Sequence, residues 1–184
     1  MRIVVNGKRV AFTTSACFMI ATLCLTLFNG DIILVSPFLF TLAIILTNLD
    51  RVGMNKYRAI LLGLALTLPV FYMALLSTIG LGHWIGIYSI PLISLVAAAI
   101  MFLVHSLYIK MRSFKVGLVI TALLALGSFP TVGIINKTFP NFDAPIALAL
   151  DPTLFFICWQ TLTALGISMG IWMQTQKRNE FIVF

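Results

Sequence analysis

Two polar side chains fall inside long apolar stretches of the sequence, where a polar group is costly unless it has a partner. Gln160 lies in the last of these stretches, and His105 lies five residues before Lys110, near the end of another. The amide could contact a substrate or a neighbouring subunit, and the imidazole could relay protons or respond to pH. A hydrogen bond between helices, worth about 0.6 kcal/mol on average, is the simpler role. We expect that role for Gln160, and for His105 either that bond or a position reaching towards the membrane interface.

The other residues that could do chemistry form no recognisable catalytic or metal-binding pattern. The sequence has no nucleophile beside a base, no phosphate-binding glycine loop and no cluster of metal ligands. Three of its five acidic residues, Asp31, Asp143 and Asp151, fall in two loops and match no calcium or magnesium motif. We therefore predict no catalytic residue, no cofactor and no metal site, and we expect a protein that is not an enzyme.

Two apolar stretches contain residues that can interrupt a helix. Pro69 lies near the middle of the third stretch, and the segment GSFPTVG in the fifth contains Gly127, Pro130 and Gly133. A proline inside a helix removes one backbone hydrogen bond, and interrupted helices line the substrate sites of some transporters. These four residues are candidates for helix breaks that shape a pocket. Proline and glycine are also frequent in ordinary membrane helices, and we favour that interpretation.

The last apolar stretch contains a pattern of small residues that favours close helix contact. Gly166 and Gly170 are four positions apart in the segment GISMG, and a GxxxG pattern lets two helix backbones approach each other. This face could pack within the chain or form a homo-oligomer. Because one chain has several helices to pack, we expect the contact within the chain first.

Composition excludes a soluble domain as the scaffold for these residues. Hydrophobic residues make up 61% of the 184 residues and charged residues 9%, against roughly 45–50% and about 25% in soluble domains. About 20 apolar residues cross the hydrocarbon core of a bilayer. Six uncharged stretches approach or exceed that length: residues 10–28, 32–49, 59–81, 84–109, 116–135 and 153–173. We predict an all-α integral membrane protein, a six-transmembrane-helix bundle in which residues 1–184 form one membrane domain and no soluble domain.

The basic residues orient this bundle. The formal net charge is +7, and all but one of the twelve basic residues fall on the same side of the six spans. The basic residues in the two loops on that side are Arg51, Lys56, Arg58, Lys110, Arg112 and Lys115. The positive-inside rule then places both termini in the cytoplasm, with the bacterial inner membrane as the expected location. Because topology accounts for the charge, we expect contact with anionic headgroups and no direct binding of nucleic acid.

Two segments outside the spans have local signals of their own. The external segment 136–152 contains two prolines that prevent a continuous helix, and it could form a lid or lie at the interface. Its last two residues, Asp151-Pro152, are typical of a helix start. Near the N-terminus, Asn6-Gly7 between β-branched runs could form a hairpin turn, but we favour a simple turn before the first helix.

Two functions remain, and no family motif decides between them. We expect a non-catalytic membrane subunit that acts through a protein partner or a second copy, such as an oligomerising sensor, scaffold or immunity- or defence-type protein. The alternative is a membrane-embedded substrate-binding subunit of a small-molecule transporter, driven by a separate ATPase. An ion-coupled transporter is disfavoured, because no carboxylate lies within a span.

Overall fold

The computed structural model describes residues 2–27, 35–138 and 152–176. Within these ranges the chain forms six α-helices and two short strands. They are β1 (Arg2–Val5), α1 (Gly7–Leu27), α2 (Ser36–Thr47), α3 (Lys56–Ile85), α4 (Ser89–Ser106), α5 (Phe114–Thr138), α6 (Pro152–Trp172) and β2 (Met173–Gln176). The predictions for Asp31, Asp143, Asp151 and most of the segment 136–152 lie outside the described residues.

Four helices are long and apolar enough to cross a membrane: Lys56–Ile85, Ser89–Ser106, Phe114–Ile135 and Leu154–Trp172. The helical and apolar character predicted from the composition is thereby confirmed. The helix α1, which carries Lys8 and Arg9 in its first turn, is not among the four, and the described part of α2 is shorter, with 12 residues. The count of six spans stays a prediction.

The helices pack in chain order around a ring. Each of α1 to α5 contacts the next helix, and α6 closes the ring against α1. The helix α6 also touches α2 and α4, and it is half buried, whereas α3 and α5 expose most of their residues. The interior is therefore built around α6, whose buried side chains include Trp159, Gln160, Ile167 and Ile171.

The predicted helix breaks do not interrupt the helices. Pro69 lies inside the continuous helix α3, and Pro130 lies inside α5 together with Gly127 and Gly133. Each proline lacks the N–H that would bond to the carbonyl four residues earlier, but the loss of one bond does not end a long apolar helix in which the other backbone bonds remain. Both helices are continuous through the four candidate positions.

The chain ends form a small sheet that local sequence patterns did not reveal. Strand β1 pairs antiparallel with β2, so that Arg2 lies opposite Gln176 and Val5 lies opposite Met173. Asn6 then caps α1, because its side-chain oxygen accepts a hydrogen bond from the Arg9 N–H at 3.3 Å. The simple turn expected at Asn6 agrees with this start of α1. The predicted helical class stands, and one two-stranded sheet is added to the helical bundle.

Two loops and both ends of the described chain meet at one end of the bundle. The loop after α2 lies against the loop after α4, where the Gly53 N–H donates to the Tyr108 carbonyl at 2.9 Å and the Lys110 N–H donates to the Arg51 carbonyl at 2.9 Å. This pairing ends α4 at Ser106, earlier than the predicted limit at 109. We call this end the basic end, comprising the start of α1, residues 48–58, residues 107–115 and the end of α6. Its cations with described side chains are Lys8, Arg9, Arg51, Lys56, Arg58, Lys110, Arg112 and Lys115.

Candidate functional site at the basic end

The small residues of α6 pack against α5 of the same chain. A Cβ atom added to Gly166 would collide with the backbone of Thr121, and one added to Gly170 would lie 2.6 Å from Cε2 of Phe102. Gly117 of α5 has equally little room, since its Cβ would lie 2.5 Å from the Gly170 Cα. The GxxxG face is therefore used within the chain, and no second copy can approach it without separating α5 from α6.

Gln160 links α6 to α2. Its side chain is fully buried, and its Nε2 donates to the Ser36 hydroxyl oxygen at 2.6 Å. Its Oε1 has no hydrogen-bond partner among the described residues. The side chain thus forms a bond between helices and keeps one free acceptor in the interior.

His105 bonds within its own helix. Its Nδ1 lies 2.7 Å from the Met101 carbonyl oxygen, and because a carbonyl only accepts, Nδ1 carries the proton and Nε2 is left as an acceptor. Nε2 has no partner in the part of the chain that the structure describes. The imidazole packs edge-on against Phe40 of α2, with the ring centroids 6.2 Å apart. His105 therefore contacts a neighbouring helix through an aromatic ring, and its Nδ1 hydrogen bond stays inside α4.

A cavity of about 190 Å³ lies between α3, α4 and α6, in the half of the bundle away from the basic end. Its walls are mostly apolar and aromatic, and its lining includes Phe71, Thr78, Ser94, Phe155 and Trp159. The Trp159 Nε1 donates to the Ser94 carbonyl at 3.2 Å, so the indole is fixed in the wall. The cavity is a space for a small apolar molecule with few polar groups.

A groove of about 560 Å³ continues from this cavity along the seam between α3 and α4. The two spaces share Ala74, Ile93 and Ala97, and Pro69 lines the groove. Of the four candidates for shaping a pocket, Pro69 lines this groove. Apart from the neighbouring backbone of their own helix, Gly127 and Gly133 have no atom within 4 Å of an added Cβ.

Three arginines converge on one tryptophan at the basic end. The guanidinium carbons of Arg9, Arg51 and Arg112 lie 5.3, 5.4 and 5.8 Å from the centre of the Trp172 ring. Arg9 comes from the first turn of α1, Arg51 from the turn after α2 and Arg112 from the loop before α5. Cations at this distance are attracted by the electrons of an indole face. We call these four residues the arginine–tryptophan cluster.

A buried hydrogen-bond network holds the Trp172 ring in place. The indole Nε1 donates to Oδ1 of Asn48 at 2.7 Å. Asn48 is fully buried, and its Nδ2 donates to the Ile44 carbonyl at 2.9 Å and to the Thr13 hydroxyl oxygen at 3.2 Å. The ring is therefore tied to α1 and α2 as well as to its own helix, and it offers a fixed surface to the arginines.

The cluster holds more positive than negative charge. Asp50 is the one carboxylate whose side chain the structure describes, and its Oδ2 lies 3.8 Å from Nη2 of Arg9. Both partners are about half exposed, so water screens this ion pair. Burial lowers the pKa of Arg51 below its ordinary value, the neighbouring charge of Arg112 lowers it further, and Asp50 acts in the opposite direction. Arg51 and Arg112 thus repel each other in the folded protein.

Sequence reasoning identified part of this site. It placed Arg51 and Arg112 in basic loops, but it assigned Trp172 to the last apolar span and gave Asn48 no role. Both residues lie near the end of an apolar stretch, on the side of the bundle that carries the basic residues. That position could have indicated a role for Trp172 and Asn48 at the basic end. The other cations predicted for the basic loops are exposed: Lys110 lies in a loop, Lys56 and Arg58 in the first turn of α3, and Lys115 in the first turn of α5.

The described residues contain no group of three or more His, Cys, Asp or Glu side chains that could hold a metal ion. Fold and site together define the class as a helical protein with apolar helices able to cross a membrane and one strongly basic end. Comparison with protein families, with curated proteins and with solved structures finds no match to this chain.

Proposed function

We propose that the chain is a non-catalytic membrane subunit that acts through a partner, as an oligomerising sensor, scaffold or immunity- or defence-type protein. We also propose that it crosses the bacterial inner membrane six times, with both termini and the basic end in the cytoplasm. The observation that carries the proposal is the charge of the basic end, where the side chains that the structure describes include eight cations and one carboxylate.

The shape of this surface supports recognition of a partner. Seven of its eight described cations are exposed, and backbone hydrogen bonds join the loops that carry Arg51 and Lys110. The Arg112 N–H donates to the Gly170 carbonyl at 3.0 Å, which fixes the second basic loop to the end of α6. A rigid surface of one sign attracts an acidic partner and sets its orientation. The expected partner is therefore acidic where it touches the basic end.

The test is the mass of the complex that the tagged full-length chain forms in its own membrane, measured by native mass spectrometry after gentle extraction. The wild-type chain should carry a partner in a fixed ratio. The double substitution Lys56→Glu/Arg58→Glu should release that partner, because both side chains are exposed and the sign of the contact is reversed. The matched control Lys56→Arg/Arg58→Lys keeps the charge and should retain the partner.

Two outcomes contradict this proposal. One is a wild-type chain that is monomeric and free of any protein in fixed ratio. The other is a Lys56→Glu/Arg58→Glu variant that keeps its partner as well as the charge-preserving control does, since the basic end would then play no part in the contact.

The cavity between α3, α4 and α6 favours a second candidate function, that of a membrane-embedded substrate-binding subunit of a small-molecule transporter. An aromatic wall with a few polar atoms is typical of sites that bind small ligands, although about 190 Å³ is below the roughly 300–1,000 Å³ of most such sites. The polar side chains described above in the interior are hydroxyls, an amide and an imidazole, and none of them is a carboxylate that could couple transport to protons or sodium. Transport would therefore depend on energy supplied by another subunit.

Ligand-induced stabilisation tests this second function. A small molecule that fits the cavity should raise the thermal stability of the purified chain, since binding to the folded state alone stabilises it. Ala74→Leu should abolish the effect by filling the cavity that Ala74 lines. Ala11→Leu makes the same change at an exposed position of α1 and should leave the effect intact. A ligand that stabilises the Ala74→Leu variant as strongly as the wild type would exclude this cavity as its site.

A further inference from the structure

We propose that Arg51 and Arg112 bind a phosphate group beside the Trp172 ring, either the phosphate of an anionic lipid headgroup or phosphate free in solution. The proposal goes beyond a protein partner, because it assigns a ligand to two side chains of the arginine–tryptophan cluster. It holds whether or not another protein docks at the basic end.

The two guanidinium groups lie over the same ring before any ligand arrives. Both lie within 5.8 Å of the centre of the same ring. Their backbones are fixed independently, since the Arg51 carbonyl accepts from the Lys110 N–H at 2.9 Å and the Arg112 N–H donates to the Gly170 carbonyl at 3.0 Å. A site that is already formed loses little conformational entropy when it binds.

The charge of this pair is only partly offset within the described chain. One carboxylate, Asp50, is shared between Arg9, whose Nη2 lies 3.8 Å from its Oδ2, and Arg51, and the structure describes no other carboxylate side chain. The repulsion between Arg51 and Arg112 shows in the lowered pKa of Arg51, for which burial is the larger cause. An anion between the two guanidinium groups would remove this repulsion.

The donors of the pair are largely free. A guanidinium group has five N–H donors in a planar fork that matches two oxygens of a phosphate. Arg51 uses Nη2 to donate to the Lys110 carbonyl at 3.3 Å, and its buried Nε has no partner among the described residues. Arg112 donates from Nη1 to Oε1 of Gln174 at 3.5 Å. Several N–H groups of each arginine therefore remain for a ligand.

The position of the cluster matches the depth of lipid phosphates. Trp172 is the last residue of the apolar helix segment Leu154–Trp172, and tryptophan is enriched at the level of the headgroups. A phosphate at that level would meet the guanidinium groups without leaving the interface. Because free phosphate has the same chemistry, the test has an arm for each source.

The first arm uses the purified full-length chain in nanodiscs of zwitterionic phosphatidylcholine with increasing fractions of phosphatidylglycerol. Native mass spectrometry counts the phosphatidylglycerol molecules retained by each chain, and the wild type should saturate with one tightly held molecule. The second arm keeps phosphatidylcholine alone and compares inorganic phosphate with chloride at equal ionic strength. The thermal midpoint of the chain is then the measure.

The variants separate this site from general surface charge. Arg112→Gln should raise the half-saturating lipid fraction about tenfold, the loss expected for one charge-assisted contact. Arg58→Gln removes the same charge at an exposed position outside the cluster and should change that fraction by no more than about fivefold, the general attraction of one surface cation to an anionic leaflet. Arg112→Lys keeps the charge without the fork and should fall between the two. Arg112 is exposed, so its substitution leaves the core intact, and it carries the test even where Arg51→Gln fails to fold.

Each outcome decides the proposal. Retention of phosphatidylglycerol that is lost in Arg112→Gln supports a lipid phosphate, and stabilisation by inorganic phosphate without retained lipid supports a free one. Equal losses in Arg58→Gln and Arg112→Gln overturn the site, because surface charge alone would then explain the binding. Absence of both effects in the wild type also overturns it, and neither result depends on the partner that Lys56→Glu/Arg58→Glu tests.

Discussion

At the scale of single residues, the hydrogen bond from the Trp172 indole to Asn48 holds the ring of the arginine–tryptophan cluster in place. We predict that Asn48→Leu lowers the free energy of unfolding by about 1–3 kcal/mol, the usual cost of leaving a buried polar group without a partner. The substitution removes the acceptor of the Trp172 indole N–H and the donor to Thr13, and Asn48 itself is fully buried. Denaturant unfolding in detergent, compared with wild type, measures the loss.

A second variant separates this bond from simple packing. Trp172→Phe keeps an aromatic face for the arginines but lacks the indole N–H. The double variant Asn48→Leu/Trp172→Phe should lose less stability than the sum of the two single variants, because both polar ends of the bond are then gone. If the losses of the two single variants simply add, the 2.7 Å hydrogen bond contributes no interaction free energy between Asn48 and Trp172.

At the scale of elements, the contact between α5 and α6 depends on glycines at specific positions. We predict that Gly166→Ala destabilises the protein by about 1–3 kcal/mol or more, since overpacking a close helix contact forces the backbones apart. Its added methyl group would collide with the Thr121 backbone and lie 2.6 Å from Oγ1 of Thr121. The measurement is the thermal midpoint in detergent.

The matched control for this contact is Gly127→Ala in α5. Apart from the neighbouring backbone of α5 itself, no atom lies within 4 Å of the added Cβ there, so the same substitution should change stability by less than about 1 kcal/mol. The oligomeric mass should be the same in both variants, because the GxxxG face is used inside the chain. Similar losses at the two positions would contradict the packing that α5 and α6 show.

The helices could be predicted where the signal lies in the local sequence, but the assembly of the site from separate elements could not. Apolar length predicted α3 to α6, and the proline at 152 predicted the start of α6. Strand β1 could not be predicted, because its partner strand is formed by residues 173–176, far away in the sequence. For the site, the basic residues were evident. Their convergence on Trp172 was not, since three separate elements create it.

At the scale of the whole molecule, the pairing of β1 with β2 places the start of α1 and the end of α6 at the same end of the bundle. The two basic loops join that end through their backbone hydrogen bonds. An even number of crossings is the topology that returns the chain to the side on which it began. Charge alternation in the sequence and the pairing of the strands both fit an even number of crossings, and the count of six stays a proposal.

Labelling of single cysteines tests this topology. With Cys17, Cys24 and Cys158 replaced by Ala, we predict that Tyr88→Cys reacts with a membrane-impermeant maleimide in intact spheroplasts, whereas Lys56→Cys and Lys115→Cys react only after permeabilisation. All three positions are exposed. The 30-residue helix α3 separates Lys56 from Tyr88, and at 1.5 Å per residue it extends about 45 Å, enough to cross a hydrocarbon core of about 30 Å. Reaction of Lys56→Cys and Tyr88→Cys from the same side would show that α3 does not cross the membrane. If Lys56→Cys and Lys115→Cys react from opposite sides, the result contradicts the backbone hydrogen bonds that hold the two loops of the basic end together.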